Sequence, residues 1–136
     1  MAKETIISGK RKTAVAKLKL KPGKGDVSFN YLLHHDLNLF HKLALSEPLR
    51  IFKNVFSQEP QFNFEIIVKG GGREAQIQAA RVALSRALMH ISNNSDVLRK
   101  AFVSYDRNML VQDARRKEAR KPGDSKARAK RQKSYR

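Results

Sequence analysis

Two segments of the chain alternate between apolar and polar residues with a period of two, the pattern of a β-strand that is buried on one face. The first is residues 13–21, whose two faces are Ala14, Ala16, Leu18 and Leu20 against Lys17, Lys19 and Lys21. The second is residues 62–68, which ends at three consecutive glycines. We predict two strands, of which the first presents a row of lysines on its open face.

The segment after the first strand has the composition of a turn. Pro22 and Gly23 occupy the two central positions of Lys21–Lys24, as in a type II turn, which requires a positive φ at its third residue. A short strand at 27–29 would then return as a hairpin partner of the first strand.

Helical periodicity dominates the second half of the chain. Apolar residues at intervals of three and four predict a long helix over 73–91, with further apolar residues that indicate neighbours on two sides. A shorter helix begins after Asn94 or Ser95. Residues 31–56 predict one or two short helices, with Pro48 starting another. The combination predicts an α+β fold of two layers, a small sheet packed on helices.

Charge divides the chain into three parts, and the two ends are strongly basic. Residues 1–24 carry eight Lys or Arg and one acid, residues 25–114 carry ten and nine, and residues 115–136 carry eleven and two. The last part has no Leu, Ile, Val, Phe or Met, so it cannot bury enough apolar surface to order itself. We expect a folded domain at 1–112 and a disordered basic tail at 113–136, which indicates a nucleic-acid partner.

Composition argues against several other classes of function. The chain has no cysteine, which excludes disulfides, thiolate catalysis and cysteine-based zinc sites. No apolar run approaches the roughly 18 residues of a membrane span, and no secretory signal is visible, so we expect a cytosolic protein. The four histidines do not form a credible metal site, and the scattered acids indicate no acid–base pair. We therefore expect no cofactor and no enzymatic activity.

Two features are the main candidates for phosphate contact, and the arginines of the long helix, Arg73, Arg81 and Arg86, are weaker ones. Lys10, Arg11 and Lys12 precede the lysine-faced strand, and the patch of one charge sign favours phosphate binding over a merely solvated edge. The run Gly70–Gly72, between a strand and a helix, could form a phosphate-binding nest, but a tight turn that needs a positive φ is favoured two to one. Arg81 flanks the apolar stripe of the long helix and fits a structural ion pair.

Several short motifs resemble one family, the universal small-subunit ribosomal protein nine, in its archaeal and eukaryotic cytosolic form. They are Gly9-Lys10-Arg11-Lys12-Thr13-Ala14, Val68-Lys69-Gly70-Gly71-Gly72, Tyr105-Asp106-Arg107, Asp113-Ala114-Arg115-Arg116 and the ending 126–136. The match spans nearly the whole chain and is weakest between Tyr31 and Gln61. The short length and the lack of a presequence favour an archaeal source.

The resemblance implies a two-layer α+β domain with a left-handed βαβ crossover and a place on the rRNA in the head of the small subunit, beside other head proteins. It also implies a tail that threads through rRNA to the tRNA in the P site. The implied rRNA-binding residues are Lys10, Arg11, Lys12, Lys17, Lys19, Gly70, Gly71, Gly72, Arg115, Arg116, Lys121, Lys126 and Arg128. The implied tRNA-binding residues are Lys130, Arg131, Lys133, Ser134, Tyr135 and Arg136.

Three other hypotheses stay open on the sequence alone. A protein subunit of an RNA-processing enzyme such as ribonuclease P would share the fold, size and charge. A small kinase of the same fold would use Gly70–Gly72 as a nucleotide loop, although Glu74 is the single acid nearby. A DNA-compacting protein would bind without regard to RNA tertiary structure.

Overall fold

The computed structural model describes residues 5–135, and the expected tRNA contact of Arg136 lies outside the described residues. The described residues form five strands, three α-helices and two short 3-10 helices. The strands are β1 (Ile6–Arg11), β2 (Ala14–Pro22), β3 (Val27–Phe29), β4 (Leu32–Leu33) and β5 (Phe62–Lys69). The helices are α1 (Leu39–Phe56), α2 (Arg73–Ile91) and α3 (Asp96–Tyr105), and the 3-10 helices are His34–Asp36 and Arg107–Met109.

The strands form one mixed sheet in the order β1-β2-β5-β3-β4. A two-residue turn at Lys12 and Thr13 joins β1 to β2, and β2 runs antiparallel to the central strand β5. β3 lies parallel to β5 and is connected to it through β4 and α1, which is the predicted βαβ arrangement. The left-handed sense of this crossover stays a prediction.

The predicted hairpin between β2 and β3 is wrong, and so is the predicted type II turn at Lys21–Lys24. β2 continues through Pro22, which pairs with Phe62 of β5, and the positive φ falls at Gly25 (100°) rather than at Gly23. Asn63 Oδ1 accepts hydrogen bonds from the backbone N–H groups of Gly25 and its neighbour Asp26, at 3.2 and 3.1 Å. This side chain stabilises a wider connection that delivers β3 to the far side of β5.

A single helix, α1, replaces the short helices predicted around Pro48. Pro48 lies buried in the middle of α1 rather than at a helix start. A proline inside a helix removes one backbone hydrogen bond, and here the packing of its neighbours Leu45 and Phe52 into the core sustains the helix across it. α1 ends at Phe56, and the next residue, Ser57, donates its N–H to the Lys53 carbonyl and turns the chain out of the helix with a left-handed φ of 54°.

α2 is the centre of the domain and is buried on nearly every side. Its sequence range agrees with the prediction, and it packs on β1 and β2 as well as on α1, so the predicted neighbours on two sides are confirmed. The approach to β1 is very close, since a Cβ atom on Gly9 would lie 2.3 Å from the Ala79 carbonyl oxygen and 2.5 Å from the Ala83 nitrogen. Glycine at position 9 therefore sets the distance between the sheet and the helix layer.

The fold class is α+β with a mixed five-stranded sheet and three helices, as expected. α3 begins after Ser95 and turns Leu98 and Phe102 into the core, in agreement with the sequence. Over 113–135 the structure contains neither helix nor strand, and nearly all of these residues are exposed. The exact domain boundary and the disorder of the free tail stay predictions.

Candidate nucleic-acid interface

One face of the sheet is covered by the helices, and the other is open and basic. Alternate residues of β1, β2 and β5 point away from the helices. The pairing of the strands places Lys10, Val15 and Lys69 side by side in one row across the sheet. The next row consists of Ser8, Lys17 and Ile67. The next rows add Lys19 beside Glu65 and Lys21 beside Asn63. We call this surface the open face; its basic residues are Lys10, Lys17, Lys19, Lys21 and Lys69.

Glu65 is the one acid that the described strands place on the open face. Lys21 Nζ lies 2.8 Å from a Glu65 carboxylate oxygen. The hydrogen bond from Lys21 lowers the pKa of Glu65, and the charge of the same lysine adds to that shift. The carboxylate is therefore ionised at neutral pH, and the open face keeps a net positive charge.

Lys69 belongs to the open face, and it was not among the residues that the sequence suggested. It is exposed and pairs across the sheet with Val15. The sequence contained the signal for Lys69. Residues 63, 65 and 67 of the predicted strand face away from the core, and continuing this alternation by one step reaches position 69.

The glycine run forms a tight turn with positive φ, as the favoured interpretation predicted. Gly70 and Gly71 have φ values of 76° and 72°, while Gly72 is the residue before α2. A Cβ on Gly70 would lie 2.7 Å from the Thr13 carbonyl oxygen, so the turn packs against the β1–β2 turn. Contact of this run with a phosphate stays a prediction.

Arg11 points toward the helix side of the sheet rather than into the open face. Its guanidinium forms an ion pair with the Asp113 carboxylate, and the two side chains are 23% and 9% exposed. Asp113 also accepts hydrogen bonds from the backbone N–H of Arg115 at 2.9 Å and from that residue's Nη2 at 2.7 Å. The first residues of the tail are therefore held against β1.

The pKa of Asp113 lies well below its usual range. The largest cause is the side-chain hydrogen bond from Arg115, followed by the bond from the Arg115 backbone and the positive charge of Arg11. Asp113 was not among the site residues that the sequence suggested. The feature that could have indicated it is its position, since it is a single acidic residue close before the run of basic residues in the tail.

Two arginines of α2 are structural. Arg81 contacts Glu47 of α1 at 2.6 Å and Asp106, after α3, at 2.9 Å, which confirms the expected structural pair. Arg86 donates to the carbonyls of Leu110 at 3.1 Å and of Ser8 at 2.9 Å. These contacts join the end of the folded domain to β1 and to the helices.

The described tail presents its cations to solvent. The residues suggested for RNA contact in this segment, from Arg115 to Tyr135, are exposed, and Tyr135 is 89% exposed. A turn at 121–124 has Pro122 and Gly123 at its centre, with φ 79° at Gly123 and a 3.2 Å hydrogen bond from Asp124 N to Lys121 O. Arg128 and Glu118 form an exposed pair at 3.0 Å.

Within the described part of the chain, no group of three or more histidine, cysteine or acidic residues could hold a metal ion. No helix of the described residues is long and apolar enough to cross a membrane.

Comparison with known proteins identifies the family. Residues 9–136 match the family described as ribosomal protein S9/S16. The chain belongs to the ribosomal protein S9/S16 family. It is 41% identical to the small ribosomal subunit protein uS9 of Methanococcus maripaludis in an alignment of 134 positions that covers 94% of this chain and 95% of that protein. It is 38% identical to uS9 of Methanothrix thermoacetophila over 130 residues, 95% and 96% of the two chains.

Membership of the S9/S16 family confirms the resemblance drawn from the motifs. The family is structural and non-enzymatic, so the chain is not an enzyme. The relatives named above are archaeal, in line with the archaeal and eukaryotic form that the tail sequence resembles.

Proposed function

We propose that the chain is a structural constituent of the small ribosomal subunit in the cytoplasm, and that it binds rRNA in the subunit head and reaches the P-site tRNA with its C-terminal tail. The observation that carries the rRNA part is the open face. Five lysines lie on one side of a three-strand surface, where the described strands place one acid, Glu65, while the opposite side is buried under the helices.

The open face suits contact with phosphates rather than with base edges. Lysine ammonium groups are compact point charges on flexible stems, which track a backbone without reading sequence. The described strands place no exposed aromatic side chain on this face on which a base could stack. Binding at this surface therefore positions the protein on folded RNA by its shape and charge.

The tail extends the same interaction beyond the domain. Residues 115–136 carry eleven Lys or Arg and two acids, and one of the acids is paired with Arg128. Each phosphate that the tail neutralises releases counterions, so the affinity falls steeply with salt. Arg115, Arg116, Lys121, Lys126 and Arg128 are proposed to line the rRNA.

The end of the tail is proposed to contact the tRNA through Lys130, Arg131, Lys133, Ser134, Tyr135 and Arg136. A terminal guanidinium can hold one phosphate through two hydrogen bonds, which a lysine cannot reproduce. We expect Arg136 to steady initiator tRNA and reading frame without taking part in peptide-bond chemistry. Deletion of Arg136 should raise frameshifting or misinitiation in a reporter assay, and wild-type fidelity would contradict this role.

A charge-matched pair of variants tests the rRNA part. Lys17→Gln with Lys19→Gln removes two charges from the open face, and Arg99→Gln with Lys100→Gln removes two from the exposed surface of α3. The first pair should weaken binding to small-subunit rRNA by about tenfold. It should also reduce the slope of log affinity against log salt concentration by the amount expected for about two phosphate contacts. Equal losses from the two pairs would show that the open face has no special role.

A further inference from the structure

A cleft of about 520 Å³ lies between the β1–β2 turn and the beginning of the tail. It is lined by Arg11, Lys12, Thr13, Arg115, Arg116 and Lys117. Five of these six residues are cationic, and they come from two segments that are about a hundred positions apart in the sequence. We call it the hairpin–tail cleft.

Both walls of the hairpin–tail cleft are fixed by contacts. The β1–β2 turn is held from behind by the glycine run, because Gly70 packs directly on the Thr13 carbonyl. Lys12 itself adopts a left-handed backbone with φ 52°, which fixes where its side chain leaves the turn. The wall formed by the tail is held by Asp113, which contacts Arg11 of β1 and Arg115 of the tail together.

Asp113 orders the tail wall as well as attaching it. Its backbone carbonyl accepts a hydrogen bond from Arg116 Nη1 at 3.2 Å, and the same guanidinium nitrogen donates to the Arg115 carbonyl at 2.9 Å. Without the carboxylate, Arg11 and Arg115 would be two like charges close together, and their repulsion would open the cleft. One acidic residue therefore joins Arg11 of β1 to Arg115 and Arg116 of the tail.

We propose that the hairpin–tail cleft binds neighbouring phosphodiester groups of an RNA backbone, and that Asp113 is the positioning residue that assembles it. The proposal rests on the proposed function, because it places one RNA contact of the S9/S16 chain at a defined point. Among residues 5–135 no aromatic side chain lines the cleft, so these residues offer charge and hydrogen bonds to phosphates but no surface for base stacking. Lys117, which the sequence did not suggest, joins the interface.

The direction in which one substitution changes the affinity for RNA distinguishes this proposal from a general effect of net charge. Asp113→Asn and Asp124→Asn each remove one negative charge, and both positions lie in the basic segment. If charge alone governed binding, both variants would bind RNA as tightly as the wild type or more tightly. If Asp113 assembles the cleft, Asp113→Asn weakens binding although it makes the chain more positive.

The experiment measures the affinity of the full-length chain for a transcript of the small-subunit rRNA head domain as a function of salt. We expect Asp113→Asn to raise Kd at least fivefold near physiological salt and to lower the salt slope by the equivalent of two or more phosphate contacts. Asp124→Asn should leave Kd unchanged or lower it. Equal Kd values for the two variants, or a tighter Asp113→Asn complex, would overturn the proposal.

Further measurements keep the proposal testable if Asp113→Asn disturbs folding. Thermal unfolding of the variant should stay cooperative, with only a small loss of stability from the missing ion pairs, because Asp113 lies outside the apolar core. If it does not, Lys12→Gln with Lys117→Gln removes two exposed cations of the cleft, and Lys42→Gln with Lys100→Gln is the charge-matched control. The cleft pair should lose at least fivefold more affinity than the control pair, and equal losses would refute the site.

Two controls distinguish the possible failures. If the wild type binds the rRNA transcript no better than an unrelated RNA of equal length, the proposed function itself fails. Replacing chloride with inorganic phosphate at constant ionic strength should change Kd less than twofold for an RNA-backbone site. If phosphate shifts the NMR signals of the cleft residues and RNA does not, the cleft belongs to free phosphate and the proposal fails.

Discussion

Gly9→Ala tests the closest contact in the domain, that between β1 and α2. The new Cβ would lie 2.3 Å from the Ala79 carbonyl oxygen, 2.5 Å from the Ala83 nitrogen and 3.0 Å from the Ala83 Cα. An ordinary carbon–oxygen contact is about 3.3 Å, so β1 would have to move away from α2 by about 1 Å. All three neighbours are backbone atoms of a buried helix, and no side-chain rotation can relieve the clash.

The expected cost is at the upper end of the range for overpacking a core, about 3 kcal/mol of unfolding free energy. Such a loss changes the ratio of folded to unfolded protein by roughly 150-fold. For a domain of this size it should lower the melting temperature by more than about 10 °C. Urea titration followed by circular dichroism measures the change directly.

Gly72→Ala is the matched control, because no atom lies within 4 Å of the Cβ it would add and its φ of −92° suits alanine. Alanine makes the unfolded chain less flexible, which stabilises the protein, but it is a weaker helix cap than glycine, which destabilises it. The free energy of unfolding should therefore change by no more than about 0.5 kcal/mol. If Gly9→Ala were as stable as Gly72→Ala, the close approach of β1 to α2 would be refuted.

Two further predictions concern charged groups. Arg81→Met leaves two partly buried carboxylates without their common cationic partner, so it should lower the free energy of unfolding by about 2 kcal/mol in a urea titration. The loss is smaller than for a fully buried ion pair because both carboxylates stay partly exposed to solvent. A neutral or stabilising effect would contradict the structural role of Arg81. Asp113 should titrate below the ordinary carboxylate range in a carboxyl NMR experiment. Because its folded pKa is depressed, the contact is present above pH 4 and is lost only as pH falls through that lower pKa; titration at the usual value would contradict the contact.

The sequence predicted well those elements in which buried positions recur at a regular interval along the chain. β2 and β5 show a period of two over most of their length, and their buried residues are the ones that the period selects. The apolar stripe of α2 predicted its range, but burial there extends beyond the stripe to residues such as Ala79, Ala83 and Ser85. The glycine run was assigned correctly to a positive-φ turn for a similar reason, since backbone geometry acts within a few residues.

The prediction failed where distant pairing overrode local preference. The same Lys-Pro-Gly sequence occurs at 21–23 and at 121–123, and the second copy forms the turn with Gly123 at positive φ. In the first copy, pairing of β2 with β5 continues through Pro22, and the side chain of Asn63 moves the turn onward. A single chain segment does not reveal which strand will pair with it.

The candidate interface shows the same division. The lysine row of β2 followed from alternation, and the basic tail followed from composition. The contact of Asp113 with Arg11 could not be predicted, because it joins the first strand to a residue about a hundred positions later and depends on how α2 and α3 bring the chain back.

The central claim is that the domain and the first part of the tail bind the small subunit, while the end of the tail binds the tRNA. We would sediment the tagged full-length protein from a cell lysate in parallel with a chain truncated after Arg131. Both forms should travel with small subunits and ribosomes, and subunits that contain the truncated form should bind P-site tRNA less well. Full-length protein that stays at the top of the gradient would contradict the account.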